Sequence, residues 1–135
     1  MRGRRILVVS VLMITTSAAG QQTKSAARKN PVPYSRKSIA AGKDVYLRNC
    51  TECHDADGRS LSGRDFTATP PTDLTDPEAW KNGTAEEQVF TSIREGTKKD
   101  MPPYKGKLQD EHIWHVVNFV RSLWPEAQRP KLAEP

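Results

Sequence analysis

The two cysteines of this 135-residue chain lie three positions apart, and a histidine directly follows the second one. Together they form the motif Cys50-Thr51-Glu52-Cys53-His54. At this spacing two thiols and an imidazole can share a single helical turn and act on one bound group. The motif constrains the fold because the rest of the chain must be arranged around whatever these side chains hold.

This spacing is typical of covalent haem attachment. Cys50 and Cys53 can form thioethers with the two vinyl groups of a porphyrin, and His54 then offers its imidazole to the iron. Other interpretations remain open. A thioredoxin-like pair needs a βαβ context, a zinc site needs further ligands such as His112 or His115, and a structural cysteine pair leaves the adjacent histidine unexplained.

The N-terminus has the pattern of a secretory signal. Three arginines precede an apolar run over 6–14, and small residues follow it up to position 20. Because a membrane-spanning helix needs roughly 20 apolar residues, the pattern favours cleavage near residues 19–20 over an uncleaved anchor. We therefore expect export to the periplasm or another extracytoplasmic compartment, where thiols are paired, bound to metal or otherwise consumed.

The net charge of the chain is +5, from 21 Lys and Arg against 16 Asp and Glu. Residues 1–20 contribute three of these positive charges and no negative one, which leaves +2 for the remainder. This is an ordinary value for a soluble domain, and no stripe of aromatic and basic side chains accompanies it. Nucleic acid is therefore not an expected partner.

The composition divides the chain into four parts. We expect a signal peptide over 1–20, a flexible basic linker over 21–37, a folded domain over 38–124 and a disordered tail over 125–135. The linker and the tail are polar and rich in proline, so little apolar surface is available to order them. No later stretch is apolar and long enough to span a membrane once the signal is removed.

Three helices are predicted within the domain. The first covers about 38–49, the second starts near Thr84 with Glu87 placed for a capping box, and the third covers about 110–124. The region 55–81 has no strand-like alternation, and so long a loop is usually wrapped around something. Three helices and a loop also bury only a thin core, so a bound apolar group is expected in the middle.

Met101 is a candidate for the second axial ligand. The other methionines, Met1 and Met13, both lie within the signal segment. Two prolines stiffen the loop after Met101, and a flexible thioether there could reach an iron. His/Met ligation favours reduced iron and suits electron transfer. His112 and His115 on the third helix are the alternatives, and a methionine that only fills a core gap is the other interpretation.

Further contacts to the group are expected from the loop region. Arg59, Arg64 and Trp80 carry donors that could bind haem propionates, although the two arginines are explained equally well as solvated side chains. A backbone carbonyl in the loop over 58–71 is expected to orient the ring of His54 through its other nitrogen.

The stretch from Gly42 to Leu123 resembles the class I mono-haem cytochromes c of bacteria. The matching residues occur in the order of that family: Gly42, Tyr46, Cys50, Cys53, His54, Asp57-Gly58, Pro70-Pro71-Thr72-Asp73-Leu74, Ile93-Arg94-Glu95-Gly96, Met101-Pro102, Ile113, Phe119 and Leu123. The resemblance implies an all-α, small cytochrome c fold of three to four helices around one covalently attached haem c with its iron. It also implies that the first and last helices cross at Gly42, beside Tyr46 and Phe119. Asp55 departs from the family pattern, because small residues are frequent directly after the motif.

The expected function is that of an exported electron carrier rather than an enzyme. Cys50 and Cys53 would attach the haem, and His54 and Met101 would bind its iron. Its partners would be redox proteins, with donor and acceptor still to be identified. The alternative is a haem subunit or docked electron acceptor of a larger dehydrogenase or oxidase complex, in the membrane or the periplasm. Catalysis or gas sensing would require an iron that Met101 does not occupy.

Overall fold

The computed structural model describes residues 28–65, 67–97 and 101–133. Within these ranges the chain forms four α-helices: α1 (Arg36–Asn49), α2 (Thr51–His54), α3 (Glu86–Glu95) and α4 (Asp110–Ser122). Short 3₁₀ turns lie at Ser62–Asp65, Pro77–Ala79 and Glu126–Gln128, and the described residues contain no β-strand. The predicted all-α class is confirmed. None of the helices described is long and apolar enough to cross a membrane, and the predicted signal peptide lies outside the described residues.

Helix α1 begins at Arg36, two residues earlier than the sequence pattern predicted. The cause is Ser35, whose backbone is extended and whose Oγ accepts a hydrogen bond from Ser38 N–H at 3.2 Å. Such a side chain satisfies one of the backbone donors that a helix start leaves without a partner. The buried face of α1 includes Gly42, Val45 and Tyr46.

Helices α1 and α4 cross in close contact. A Cβ atom at Gly42 would overlap the backbone carbonyl of His115 and lie 2.9 Å from Phe119 Cβ. One turn further along α1, the rings of Tyr46 and Phe119 pack with centroids 5.0 Å apart and a 55° tilt. The crossing that the family resemblance implied is therefore confirmed at these residues.

Helix α4 supplies most of the core. Helix α3 packs against it through Phe90, whose ring stacks on that of Trp114 at 4.0 Å. The buried apolar residues of the three longer helices form one cluster: Val45, Tyr46, Val89, Phe90, Ile93, Ile113, Trp114, Val116, Val117, Phe119 and Val120. Full burial of such a side chain stabilises the fold by about 1.5–3 kcal/mol.

The start of α3 differs from the capping box predicted at Thr84 and Glu87. The helix begins at Glu86, and its N-cap is Ala85, which has no side-chain acceptor. Only the reciprocal bond is present, from Ala85 N–H to Oε1 of Gln88 at 3.1 Å. The glutamine three residues after the cap performs the part that the sequence pattern assigned to Glu87.

Residues 28–37 belong to the stretch that composition predicts to be a flexible linker, and they make specific contacts with α4. The buried amide of Asn118 donates to the carbonyls of Val32 and Pro33, each at 3.2 Å, and its Oδ1 accepts from Asn30 Nδ2 at 2.9 Å. A buried amide requires partners, and this segment provides them. Residues 21–27 of the predicted linker lie outside the described residues.

The tail after α4, which composition predicts to be disordered, makes specific contacts with the rest of the fold. Arg129 Nε donates to the carbonyl of Trp124 at 2.5 Å, and Ala133 N–H donates to the carbonyl of Tyr34 at 2.8 Å. The proline and charge content of the tail gives no sign that the backbone of Ala133 finds a partner on the N-terminal segment.

Tyr104 fixes the loop that follows α3 to the end of α1. Its backbone N–H donates to the carbonyl of Ile93 at 3.2 Å, and its phenol donates to the carbonyl of Asn49 at 2.6 Å. Burial raises the pKa of Tyr104 to about 12. The phenol therefore stays protonated, and able to donate, well into the alkaline range.

The Gly42→Ala substitution should lower the free energy of unfolding by about 3 kcal/mol, because α1 and α4 must separate to accommodate the new Cβ. Urea denaturation of the protein measures this change. Ala40→Ser, at an exposed position on the same helix, is the matched control and should change stability by less than about 0.5 kcal/mol. Equal stability of the two variants would contradict the close crossing.

The Tyr104→Phe substitution should make stability less sensitive to alkaline pH. Below pH 10.0, the ordinary pKa of tyrosine, the phenol is protonated in both the folded and the unfolded chain. Between pH 10.0 and about 12 only the unfolded chain loses this proton. The wild type therefore loses stability across this pH window. Near pH 8 the variant should be about 1 kcal/mol less stable, because the bond to Asn49 is lost. Urea denaturation at pH 8 and at pH 11 tests both statements. Parallel losses in the two proteins would contradict this assignment.

Candidate functional site

A cavity of about 750 Å³ opens beside the Cys-x-x-Cys-His motif. Its mostly apolar walls come from the motif, the loop over 67–72, helix α3 and the loop that carries Met101. Cys50, Cys53, His54 and Met101 all line this cavity. The fold thus brings the four predicted site residues to one space, whose volume is within the range of protein sites that enclose small molecules and cofactors.

A smaller extension of about 100 Å³ reaches from this cavity toward the core. It shares Cys50, His54 and Met101 with the main cavity, and its other walls include Leu74 and Val116. The apolar space expected from the thin core is therefore present between the motif and the helices.

The motif forms the single turn of helix α2, directly after α1. His54 N–H donates to the carbonyl of Cys50 at 2.9 Å, which closes the turn. The phenol of Tyr46, fully buried beneath it, donates to the carbonyls of Asp55 at 2.7 Å and His54 at 3.2 Å. Burial raises the pKa of Tyr46 far above its ordinary range, so it remains a donor. The phenol of Tyr46 thus provides a hydrogen-bond donor for the carbonyls at the C-terminal end of α2.

Asp55 shows why the chain tolerates a departure from the family pattern directly after the motif. Its φ is +56°, in the left-handed region that glycine adopts easily and aspartate can adopt. Its carboxylate accepts hydrogen bonds from the backbone N–H groups of Leu61 at 2.7 Å and Ser62 at 3.1 Å. The bond from Ser62 is the main reason that the pKa of Asp55 is lowered. The side chain therefore ties the following loop to the motif.

The ring of His54 is oriented by a side chain. Nδ1 of His54 lies 2.9 Å from Oγ of Ser60, and that hydroxyl donates to the carbonyl of Thr72 at 2.6 Å. Because a hydroxyl carries one hydrogen, Ser60 accepts from Nδ1–H, and Nε2 of His54 keeps its lone pair. Burial lowers the pKa of His54, which favours this neutral form.

This arrangement corrects the expectation of a carbonyl in the loop over 58–71. The direct partner of the ring is the hydroxyl of Ser60, and the carbonyl behind it belongs to Thr72, one residue beyond that range. No sequence pattern marks a serine six positions after the histidine as its partner. Only the folding of the loop beneath the ring reveals its contact.

The alternatives that the motif left open find little support. Burial raises the pKa of Cys50 to about 12, whereas a redox-active thiol needs a lowered pKa. His112 is exposed, and Nδ1 of His115 lies 2.8 Å from Oγ of Ser38 at the α1 contact. No group of three His, Cys, Asp or Glu side chains placed to hold a metal ion was found among the described residues.

The three side chains considered for propionate binding are engaged elsewhere or lie away from the cavity. Arg59 is exposed and pairs with Asp57 at 3.7 Å, and Arg64 is exposed on a 3₁₀ turn. Trp80 Nε1–H donates to the carbonyl of Asp73 at 3.0 Å.

The side chains with N–H donors that do line the cavity include Lys81 and Asn82. They follow Trp80 in an ordinary polar loop, so residue type alone could not single them out.

The residues present fit haem c. Two thiols on one helical turn match the spacing of its vinyl groups, and an imidazole nitrogen and a thioether are suitable axial ligands for its iron. Mostly apolar walls suit the porphyrin, and Lys81 supplies a cation for a carboxylate.

Comparison with known proteins agrees with this geometry. Residues 37–120 match the family model of cytochrome c oxidase, cbb3-type, subunit III. Thiosulfate dehydrogenase of Stutzerimonas stutzeri (strain A1501) is 30% identical over 127 residues, which are 93% of this chain and 40% of that protein. The FixP subunit of the cbb3-type cytochrome c oxidase of Rhizobium meliloti (strain 1021) is 26% identical over 82% of this chain and 36% of its own length. The chain therefore spans less than half of these relatives.

Solved structures of c-type cytochromes share the fold. The c-type cytochrome KustC0563 is 32% identical with a TM-score of 0.54, over 62% of this chain and 98% of that one. A chain of the reducing HAO-like protein complex of Kuenenia stuttgartiensis has a TM-score of 0.61 over 73% of this chain and 50% of its own, at 24% identity. The second likeness concerns the fold alone.

The family match agrees with the motif, the cavity and the fold. The chain belongs to the cbb3-type subunit III family of cytochrome c domains, which transfer electrons through covalently bound haem c with its iron.

Proposed function

We propose that the chain carries single electrons through one haem c, attached by Cys50 and Cys53 and bound at its iron by His54 and Met101. The observation that carries this proposal is that the four side chains line one cavity. The chain holds a single Cys-x-x-Cys-His motif, which supports one haem. When bound, the haem supplies one-electron exchange between iron(III) and iron(II).

The protein's own residues would hold and insulate this group. The hydrogen bond from Nδ1 of His54 to Ser60 leaves the lone pair of Nε2 available to the iron. The contacts of Tyr104 fix the loop that carries Met101. The mostly apolar walls would surround the porphyrin and shield it from water. If His54 and Met101 both hold the iron, a substrate would have no open position on it, which favours an electron carrier over an enzyme.

Export forms part of the same proposal. The arginines and the apolar run of residues 1–20 act as a signal peptide that is removed, and the remaining chain works in the periplasm or another extracytoplasmic compartment. Consumption of both cysteines as thioethers is compatible with an oxidising compartment.

A second candidate is a haem subunit or docked electron acceptor of a larger complex. It is favoured by a relative from Gluconobacter oxydans (strain 621H), the cytochrome c subunit of a quinone-dependent alcohol dehydrogenase, 31% identical over 62% of this chain and 18% of that protein. Size-exclusion chromatography of the tagged chain from its native host separates the two functions. Elution of the haem with a stable larger partner supports the subunit, and elution as a free small protein supports the carrier.

The mature chain made together with haem-attachment machinery should contain one covalent haem, seen by mass spectrometry as the chain plus one haem. Its spectra should be low-spin in both redox states, with a weak far-red sulfur-to-iron(III) band and no response to carbon monoxide. Ready binding of carbon monoxide to the wild type would indicate an open iron and favour sensing or catalysis. Absence of covalent haem would contradict the proposal.

Replacing Met101 by Ala should abolish the far-red band and allow carbon monoxide to bind the reduced protein, because the sixth position loses its ligand. His112→Ala is the matched control, since His112 is exposed on α4 and should leave both signals unchanged. Optical spectra of the two variants decide the ligand. A Met101→Ala protein that retains the band and resists carbon monoxide would exclude Met101 as the axial ligand.

A further inference from the structure

Ser60 has a backbone conformation that is unusual for its residue type. It is fully buried, and its φ is +60°, in the left-handed region where residues other than glycine are uncommon. Glycine would adopt this conformation without steric cost. A strained position of this kind, next to a functional motif, points to a task for the side chain.

The contacts of Ser60 identify that task. Its hydroxyl accepts from Nδ1 of His54 at 2.9 Å and donates to the carbonyl of Thr72 at 2.6 Å. Its own N–H donates to the carbonyl of His54 at 3.3 Å. Ser60 therefore holds both the ring and the backbone of His54, and connects them to a loop twelve positions further along the chain.

The carboxylate of Asp55, the charged group next to His54 in the chain, is engaged by the loop that follows the motif. The carboxylate of Asp55 accepts from the N–H groups of Leu61 and Ser62. The Thr72 carbonyl accepts from the Ser60 hydroxyl and is also close enough to act on the ring of His54. The Ser60 hydroxyl thus stands as the intermediate group between the ring and this carbonyl.

We propose that the Ser60 hydroxyl is the positioning residue of the haem ligand His54, and that it sets the electron density that the imidazole gives to the iron. This inference rests on the proposed function, in which His54 Nε2 binds iron. Hydrogen bonds in a chain polarise one another, so the pull of Thr72 reaches Nδ1–H through the hydroxyl. A ligand histidine with such a partner is more basic and more firmly oriented. A more basic ligand stabilises iron(III), so Ser60 lowers the reduction potential.

Two substitutions separate the hydroxyl from the backbone. Ser60→Ala and Ser60→Gly both remove the hydroxyl, and only Ser60→Gly also relieves the left-handed backbone. The reduction potential should therefore rise by a similar amount in both variants, whereas the glycine variant should unfold at higher urea concentration than the alanine variant. Ser122→Ala is the control, since it removes a hydroxyl bonded to the Phe119 carbonyl at 2.5 Å, away from the cavity. Its potential should equal that of the wild type.

Two measurements on the haem-loaded protein test the proposal. Optical redox titration gives the potential, and proton NMR of the reduced protein gives the exchange rate of the His54 Nδ1 proton. We expect a higher potential and faster exchange in both Ser60 variants. Unchanged potential and exchange, with or without a loss of stability, would overturn the positioning role and leave Ser60 as a packing residue.

The same samples distinguish this inference from the function on which it rests. If the wild type lacks a low-spin spectrum with histidine and methionine ligands, the proposed function fails, and the role of Ser60 fails with it. If all variants keep that spectrum while neither potential nor exchange changes, only the role of Ser60 is overturned.

Discussion

The close crossing of α1 and α4 at Gly42 is the constraint on which the rest of the structure depends. Helix α1 ends directly before the motif, so the position of α1 on α4 determines where the two thiols and the imidazole lie. The absence of a side chain at Gly42 lets the helix backbones approach until Tyr46 reaches Phe119. Tyr46 then extends from the core to the carbonyls of His54 and Asp55. Packing in the core is in this way transmitted to the cofactor site.

Hydrogen bonds to backbone carbonyls hold the walls of the site. Tyr46 binds carbonyls at the end of α2, Tyr104 binds that of Asn49 at the end of α1, and Ser60 binds that of Thr72. Each bond contributes only about 1 kcal/mol to stability, but a buried partner left unsatisfied costs more. Such bonds therefore specify position more than they add stability. These hydrogen bonds allow irregular loops to form the walls of a defined cavity.

Much of this arrangement was predictable because its signals are local or depend on rare residue types. The motif, the single methionine after residue 20 and the helical spacing in α4 indicated the cofactor class and the all-α fold. The remaining features depend on tertiary contacts. Asn118 lies within an apolar helix face, and its sequence gives no sign that it binds residues 30–33. Ser60 is one of several loop serines, and only the path of the chain brings it to His54. Arg59 has donors suited to a carboxylate, but it is exposed, pairs with Asp57 and does not line the cavity.

The hydrogen bond between Ala133 and Tyr34 places the two ends of the described domain side by side. A unit that the chain enters and leaves at one place can be joined to other units without rearranging its interior. The haem cavity is built from 49–104, a stretch that excludes both of these residues. Attachments at this junction would therefore leave the electron-transfer site intact. This modular construction agrees with relatives in which the matching part is 40% or 36% of a longer protein.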